Sequence, residues 1–363
     1  MHSGGARRVL TMMSAFRLAL LLGAAGSGPH AQSPVALAPG RWPVGFTHLE
    51  AADSSRPLQS GQPRPLDIGV WYPARASAAP HLTYRTYFLL SPPRQDSLPA
   101  AEAARRELDG FAGFLASHGA PAAAVTAWLD APMLATPDPP AAGARFPVVL
   151  VAQGNEQSLH DQAPLCEYLA SHGYVVATAP SPMRISGPLT DEHDVGARAA
   201  EQAQDLAVVL ARLAPRGDVD ARRVGVVGHS FGARAALLFG MAEPRVAALV
   251  SLDGGIGTAT ARTNLEQVPS FHPSALRAPV LHFYERLDAF MAPDLRFTAS
   301  CWRPAATNCS STWAGSSPPS CAPSSPTRRA APARTRVPRG GTGRSSRRSR
   351  PTTRMRPSRP SSA

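Results

Sequence analysis

Short apolar runs alternate with longer segments of helical period along most of the chain. Pro147 to Val151, Tyr174 to Thr178, Arg223 to Val227, Val246 to Leu252 and Pro279 to Tyr284 are brief and rich in valine and leucine. They have the pattern of strands covered on both faces. Between them, Asp161 to Ser171 carries Leu165, Leu169 and Ala170 on one side and is ended by His172-Gly173. Val195 to Leu213 repeats Ala203, Leu206, Ala207, Leu210 and Leu213 at helical spacing. Ala233 to Gly240 is a third helical segment. Strand and helix in this order predict a mostly parallel sheet with helices on both faces. An earlier strand, Pro65 to Pro73, is ended by proline. Residues 32–64, rich in proline and glycine, are expected to form an extended lead-in.

Positions 81–140 interrupt the pattern. Pro99 to His118 has helical spacing, with Ala103, Leu108, Phe111, Phe114 and Leu115 as its apolar stripe, and a short helix is expected over Ala122 to Leu129. This insertion is read as a cap or flank beside the substrate site. The other reading is a surface excursion packed away from the chemistry.

Composition changes this picture at the two ends. The 363-residue chain has a formal charge of +12. Every basic side chain is arginine, 13 of the 37 follow residue 300, and no acid follows Asp294. Up to residue 300, 24 arginines face 25 acids, so the body is close to neutral and its charge does not single out nucleic acid. From Cys301 the chain is almost entirely Arg, Ser, Pro, Ala, Thr and Gly without periodicity, so residues 298–363 are expected to be a disordered tail. A frame change in a gene of strong codon bias yields such a composition. A genuine basic tail that binds an anionic surface is the alternative. At the other end, Arg7, Arg8 and Arg17 precede the apolar Leu18 to Ala25, with a cleavage site after Ala31. Residues 1–31 read as a signal peptide for a secreted or periplasmic protein, because the apolar run is too short to cross a bilayer. Cys166, Cys301, Cys309 and Cys321 have neither disulfide-scaffold nor zinc spacing, and no metal or organic cofactor is expected.

The chemistry centres on Arg223-Val224-Gly225-Val226-Val227-Gly228-His229-Ser230-Phe231-Gly232. Gly-x-Ser-x-Gly between a strand and a helix lifts the serine off the strand end, where a histidine can take its proton. A helix start with a capping serine is the plainer reading. The Phe231 N–H at the helix start is a candidate oxyanion donor. A second is sought from Gln153 or Asn155, in the Gly154 loop that follows Val151. Asp253 closes the strand after the serine helix, and Asp288 lies past the next strand. Both stand at strand carboxyl ends, where open α/β sheets place their sites.

From residue 65 to about 290 the chain resembles the α/β-hydrolase fold, specifically serine esterases of the platelet-activating-factor acetylhydrolase and dienelactone-hydrolase-like groups. The matching pieces are Leu66 to Pro73, Phe146 to Asn155, Leu169 to Val176, Gly228 to Gly232 and Ser251 to Gly254. The resemblance implies one domain over 65–297, hydrolysis of a carboxylic ester through acyl-Ser230, and Asp253 as the triad acid, with Asp288 as the alternative. Ser230 stands where dienelactone hydrolases proper carry cysteine. The family histidine follows the last sheet strand, and the last histidine here is His282. His193 and His160 are weak candidate bases. The chain is thus expected to lack the fold's usual final strand and helix together with its triad histidine. Two readings follow: a serine esterase of impaired activity, or an inactive member kept as a binding or structural protein.

Overall fold

The two-residue period inside the apolar runs sorts the core onto two faces of one sheet. In β4 (Phe146–Ala152), Val148 and Leu150 join the cluster that contains Leu206, Leu210 and Phe239, while Val149 and Val151 join the one that contains Leu159, Ala163 and Cys166. The same division separates Val175 and Ala177 from Val176, and Val226 from Val227. Continuous apolarity is the signature of a strand covered on both sides. The structure, a computed structural model, describes residues 38–92, 98–191 and 194–284. The expected signal peptide, the tail, Asp288 and His193 lie outside the described residues.

Eight strands form one sheet: β1 (Val44–Asp53), β2 (Arg64–Pro73), β3 (Ala135–Pro137), β4, β5 (Val175–Ala179), β6 (Val219–His229), β7 (Val246–Leu252) and β8 (Val280–Phe283). Their order is β3-β1-β2-β5-β4-β6-β7-β8. β1 and β5 both pair antiparallel with β2, whereas β5, β4, β6, β7 and β8 run parallel. β4 lies between β5 and β6, so the chain reverses its direction of travel across the sheet there. The carboxyl ends of β4 and β6 therefore flank a switch point, the usual crevice of an open α/β sheet. This is the α/β-hydrolase architecture.

The stretch read as a lead-in carries β1, in register with β2 from Val44↔Pro73 to Asp53↔Arg64. The sheet thus starts before residue 65. Val44 and Phe46 are buried, but Gly45 and His48 break the alternation that would have marked the strand. At the far end of this hairpin the buried Arg64 guanidinium forks onto both carboxylate oxygens of Asp205 at 2.9 and 2.8 Å, and also pairs with Glu201. Both acids are on α6 (Asp194–Leu213), so the hairpin is tied to the helix that covers one face.

The insertion contains α1 (Tyr84–Leu90), α2 (Ala100–Ser117) and α3 (Ala122–Leu129), with a small core of Phe88, Leu108, Leu115, Val125 and Leu129. The two expected helices are present, while α1 and β3 have no clear periodic signal in the sequence. Two buried groups fasten the insertion to the body. Glu167, in α4 (Leu159–Ser171), accepts from the Tyr87 hydroxyl at 2.6 Å and from the Leu134 and Ala135 N–H groups at 2.7 and 3.2 Å. Burial pushes its carboxyl up from the ordinary range, opposed by those three donors. Arg184, in α5 (Met183–Ser186), grips both oxygens of Glu107 at 2.8 and 2.7 Å and also donates to the carbonyls of Ser91 and Glu156. Glu156 belongs to the loop after β4, so the insertion abuts the loop expected to hold an oxyanion donor.

Replacing Glu167 leaves a buried hydroxyl and two amides short of their acceptor. Glu167→Ala is expected to cost about 2–4 kcal/mol in urea unfolding. Arg85→Ala, which removes the exposed pair with Asp130, should leave the midpoint nearly unchanged. Equal midpoints for both variants would show that Glu167 is not the anchor.

Candidate active site

β6 ends at His229 and α7 begins at Gly232 (Gly232–Ala242), leaving two residues to turn the chain. Ser230 occupies the turn with φ of 50°, a left-handed conformation that costs a non-glycine residue roughly 1–3 kcal/mol. Backbone bonds hold it there: its N–H donates to the Leu252 carbonyl at 2.8 Å and its own carbonyl accepts from Ala233 at 3.1 Å. The turn closes only because neighbours lack side chains. A Cβ on Gly228 would fall 2.4 Å from the Ala233 Cα, and one on Gly232 would fall 2.2 Å from the Ala152 carbonyl oxygen.

The loop after β4 is equally constrained. Gln153 is buried, donates through Nε2 to the Thr178 hydroxyl at 3.0 Å, and its carbonyl accepts from Gln202 Nε2 at 3.0 Å. The Gly154 N–H donates to Gln157 Oε1 at 2.7 Å, and His229 Nδ1 lies 2.9 Å from the same oxygen. An oxygen that accepts from Gly154 requires His229 Nδ1 to carry its hydrogen, which assigns the tautomer from the network. Gly154 therefore spends its N–H inside the loop. The Phe231 N–H, at the N-cap of α7, remains a candidate for a reacting oxygen, together with those of Gln153 and Asn155. Gln157, Gln202 and Arg184, which shape this loop, carried no signal in the sequence, because their partners lie far away along the chain.

Asp253 also has a left-handed backbone, φ 52°, and its N–H donates to the Phe283 carbonyl at 2.8 Å. Gly254 brings this end of β7 against the elbow. A Cβ there would stand 2.1 Å from the Ala233 Cβ and 3.3 Å from the Ser230 carbonyl oxygen. Ser230 and Asp253 thus share the carboxyl edge of adjacent strands, joined through Leu252. The described histidines hold other contacts. His229 meets Gln157, His282 Nδ1 meets the Ser251 hydroxyl at 2.9 Å, and His160 is buried against Phe88, its Nε2 3.2 Å from Asp161. Burial pushes His282 down to about 4. Cys166 is buried in α4, where desolvation pushes its thiol up, the reverse of an activated nucleophile. Among the described residues no cluster of three or more His, Cys, Asp or Glu side chains is placed to hold a metal, and no helix is long and apolar enough to cross a membrane.

The sheet order, the strained serine between β6 and α7 and the loop after β4 are the arrangement of the α/β-hydrolase fold. Residues 124–282 match the family model described as Chlorophyllase. Among solved structures, a ferulic acid esterase from Streptomyces cinnamoneus is similar at 24% identity and a TM-score of 0.48, over 68% of this chain and 75% of that one. A putative dienelactone hydrolase from Klebsiella pneumoniae is similar at 17% identity and a TM-score of 0.34, over 67% of this chain and 75% of that one. No curated protein matches.

Two outcomes follow from this geometry. Gly232→Ala forces a methyl group into two carbonyl oxygens, and should destabilise the protein by at least about 2 kcal/mol in urea unfolding while moving the elbow. Unchanged stability would mean that the helix start yields. His282, neutral in the fold, favours the folded state fully above its ordinary value of 6.5, and that contribution is lost as pH falls through about 4. The urea midpoint of the wild type should therefore fall relative to that of His282→Asn between pH 7 and pH 4. A pH-independent gap would show that the imidazole protonates freely in place.

Proposed function

We propose that the protein hydrolyses carboxylic esters, acetylhydrolase-like in preferring a short acyl group, with Ser230 as the nucleophile. The observation that carries this reading is the left-handed Ser230 at the junction of β6 and α7, with a helix N-terminus behind it and the β4 loop beside it. The match to the chlorophyllase model over residues 124–282 supports a hydrolase in the same direction. Ser230 Oγ would attack the carbonyl carbon and give its proton to a histidine. The carbonyl oxygen would take its developing charge to the Phe231 N–H and to one N–H of Gln153 or Asn155. Collapse would expel the alcohol, protonated by the histidine, and water would then release the acid from acyl-Ser230. No step needs a metal or organic cofactor.

Asp253 is assigned as the acid that orients the histidine, supported by its place one strand from the elbow and by the close approach of Gly254. Asp288 is the alternative. The histidine itself is the missing part of this reading. None follows His282, so activity is expected to be depressed by orders of magnitude unless His193 or His160 serves. That gap also favours the second reading, an inactive member that binds without turning over. Residues 1–31 are proposed to direct export to the periplasm or outside the cell, and the arginine-rich tail to be the product of a shifted reading frame.

Hydrolysis of an aryl acetate tests the proposal. Ser230→Ala should abolish whatever rate the chain shows. Supplying a C-terminal segment with a histidine, read from the alternative frame, should raise the rate by orders of magnitude. In that repaired protein, Asp253→Asn should cost far more than Asp288→Asn, and the reverse ranking would move the acid. A rate untouched by Ser230→Ala would reject Ser230 as the nucleophile.

A further inference from the structure

The ladder that joins β4 to β6 ends at Ala152↔Gly228, just before the β4 loop on one strand and just before His229-Ser230 on the other. Beyond that pair the ladder no longer sets how the two segments lie, and a side chain takes over. Gln157 Oε1 accepts from the Gly154 N–H at 2.7 Å and from His229 Nδ1 at 2.9 Å. Both lone pairs of one carbonyl oxygen are thus used, one on the loop and one on the elbow. Gln157 is 7% exposed, and its backbone is bonded on both sides. Its N–H donates to the Gly154 carbonyl at 3.2 Å, and its carbonyl accepts from the Ser181 N–H at 2.9 Å. Gly154 lets the three residues meet. A Cβ there would stand 2.6 Å from Gln157 Oε1 and 3.1 Å from His229 Nδ1, so close approach accounts for glycine at this position.

These bonds orient two successive peptide planes. The plane between Gln153 and Gly154 is held at both ends, its carbonyl by Gln202 Nε2 at 3.0 Å and its N–H by Gln157 Oε1. The next plane, between Gly154 and Asn155, is held through the Gly154 carbonyl, on which the Gln157 N–H is anchored. In a trans peptide the N–H and the carbonyl point to opposite sides, so the Asn155 N–H is turned away from the Gln157 backbone. The turn therefore occupies the Gly154 N–H and sets the direction of its neighbour's. On the elbow, His229 directly precedes Ser230, whose φ of 50° needs outside contacts to persist.

We propose that Gln157 and His229 are a positioning pair for the reaction at Ser230. The shared Gln157 oxygen sets the β4 loop at a fixed separation from the elbow, and the Asn155 N–H serves as the second oxyanion donor only while both bonds hold. This rests on the reading of Ser230 as the nucleophile. Neither side chain touches the substrate. The bond to Gly154 shapes the loop, and the bond to His229 ties it to the turn. The Phe231 N–H is fixed by α7 itself, so losing the pair removes one donor of two.

Phenylboronic acid tests the pair in the full chain without turnover. Ser230 Oγ forms a bond to boron, its proton passes to water, and the tetrahedral boronate carries a negative charge beside the oxyanion donors. Calorimetric titration of the wild type should show binding that Ser230→Ala removes. Gln157→Leu, which keeps the volume and withdraws the acceptor, should weaken that binding roughly tenfold or more. Gln157→Glu supplies an oxygen that accepts from both donors and should recover most of the affinity. His229→Leu should match the loss, and His229→Asn, whose amide N–H stands near the place of Nδ1, should recover part of it. Gln157→Leu combined with His229→Leu should cost little more than either alone. In nitrogen–proton NMR spectra His229 Nδ1 should carry its hydrogen, and the Gly154 amide should exchange faster in Gln157→Leu than in the wild type. The His229 series carries the test if Gln157→Leu does not fold. Absent boronate binding in the wild type, or binding that survives Ser230→Ala, rejects the Ser230 reading and the proposal with it. Binding that depends on Ser230 and is unchanged in Gln157→Leu and His229→Leu overturns the positioning pair alone. So does an Nδ1 without its hydrogen, or a loss that Gln157→Glu and His229→Asn both fail to recover, since packing rather than the shared oxygen would then be at work.

Discussion

Three missing side chains set the carboxyl edge of this sheet. Gly228, Gly232 and Gly254 each stand where a Cβ would overlap a neighbour at 2.1–2.4 Å, and together they let β6, the start of α7 and the end of β7 converge on one point. Ser230 occupies the two-residue turn that joins β6 to α7 at that point. Its left-handed backbone is the consequence, sustained by the hydrogen bond to the Leu252 carbonyl. The same convergence puts Asp253 next to the elbow and the α7 N-terminus behind it. Close packing of backbone on backbone thus decides which polar groups can meet, before any of them does chemistry.

A second tier of contacts keeps the site's surroundings in place. His229 and Gln157 brace the β4 loop from within, Gln202 and Thr178 hold Gln153 from below, and Arg184 ties the same loop to the insertion through Glu107. None of these groups needs to touch a substrate. Their effect is to remove freedom from the N–H groups that would face one, which is how a fold prepares an oxyanion site in advance. The insertion has its own small apolar core, and Tyr87 and Ala135 extend it into the cluster of Phe46, Trp71 and Leu159 in the body. The buried Glu167 and the half-buried Glu107 add polar contacts of defined geometry to that apolar attachment.

What the sequence made legible follows from the range of the interactions. β7 and α3 were read with the bounds they have, and β4, α6 and the elbow nearly so, because the apolar pattern of a doubly covered strand or an amphipathic helix is local. The glycines around Ser230 were readable for the same reason. β1 was not, since Val44 and Phe46 are followed by Thr47 and His48, and its identity as a strand depends on pairing with β2 ten to thirty residues on. α1 is short, and it is fixed by Tyr87 reaching Glu167, 80 residues away. In the sequence His229 is visible only as the residue between Gly228 and Ser230 of the elbow. That it braces the loop after β4 through Gln157 depends on a contact 72 residues distant. Local pattern announces backbone geometry, whereas the polar fixtures of a site depend on chance meetings of distant segments.

The buried arginines show how this fold treats charge. Arg64 and Arg184 are each enclosed with a carboxylate that accepts both prongs of the guanidinium, and each joins elements that would otherwise be held only by apolar contact. In both cases the charge is compensated within the fold and its function is structural. Arg234, in the first turn of α7, is comparably buried, and among the described residues no carboxylate pairs with it. A protein stable by only ~5–15 kcal/mol does not carry an uncompensated charge without consequence. Backbone strain gathers on the sheet edge instead, where Ser230 and Asp253 at the ends of adjacent strands both hold left-handed conformations against the preference of their residues. Strain held where polar groups converge is where an external ligand has the most to stabilise.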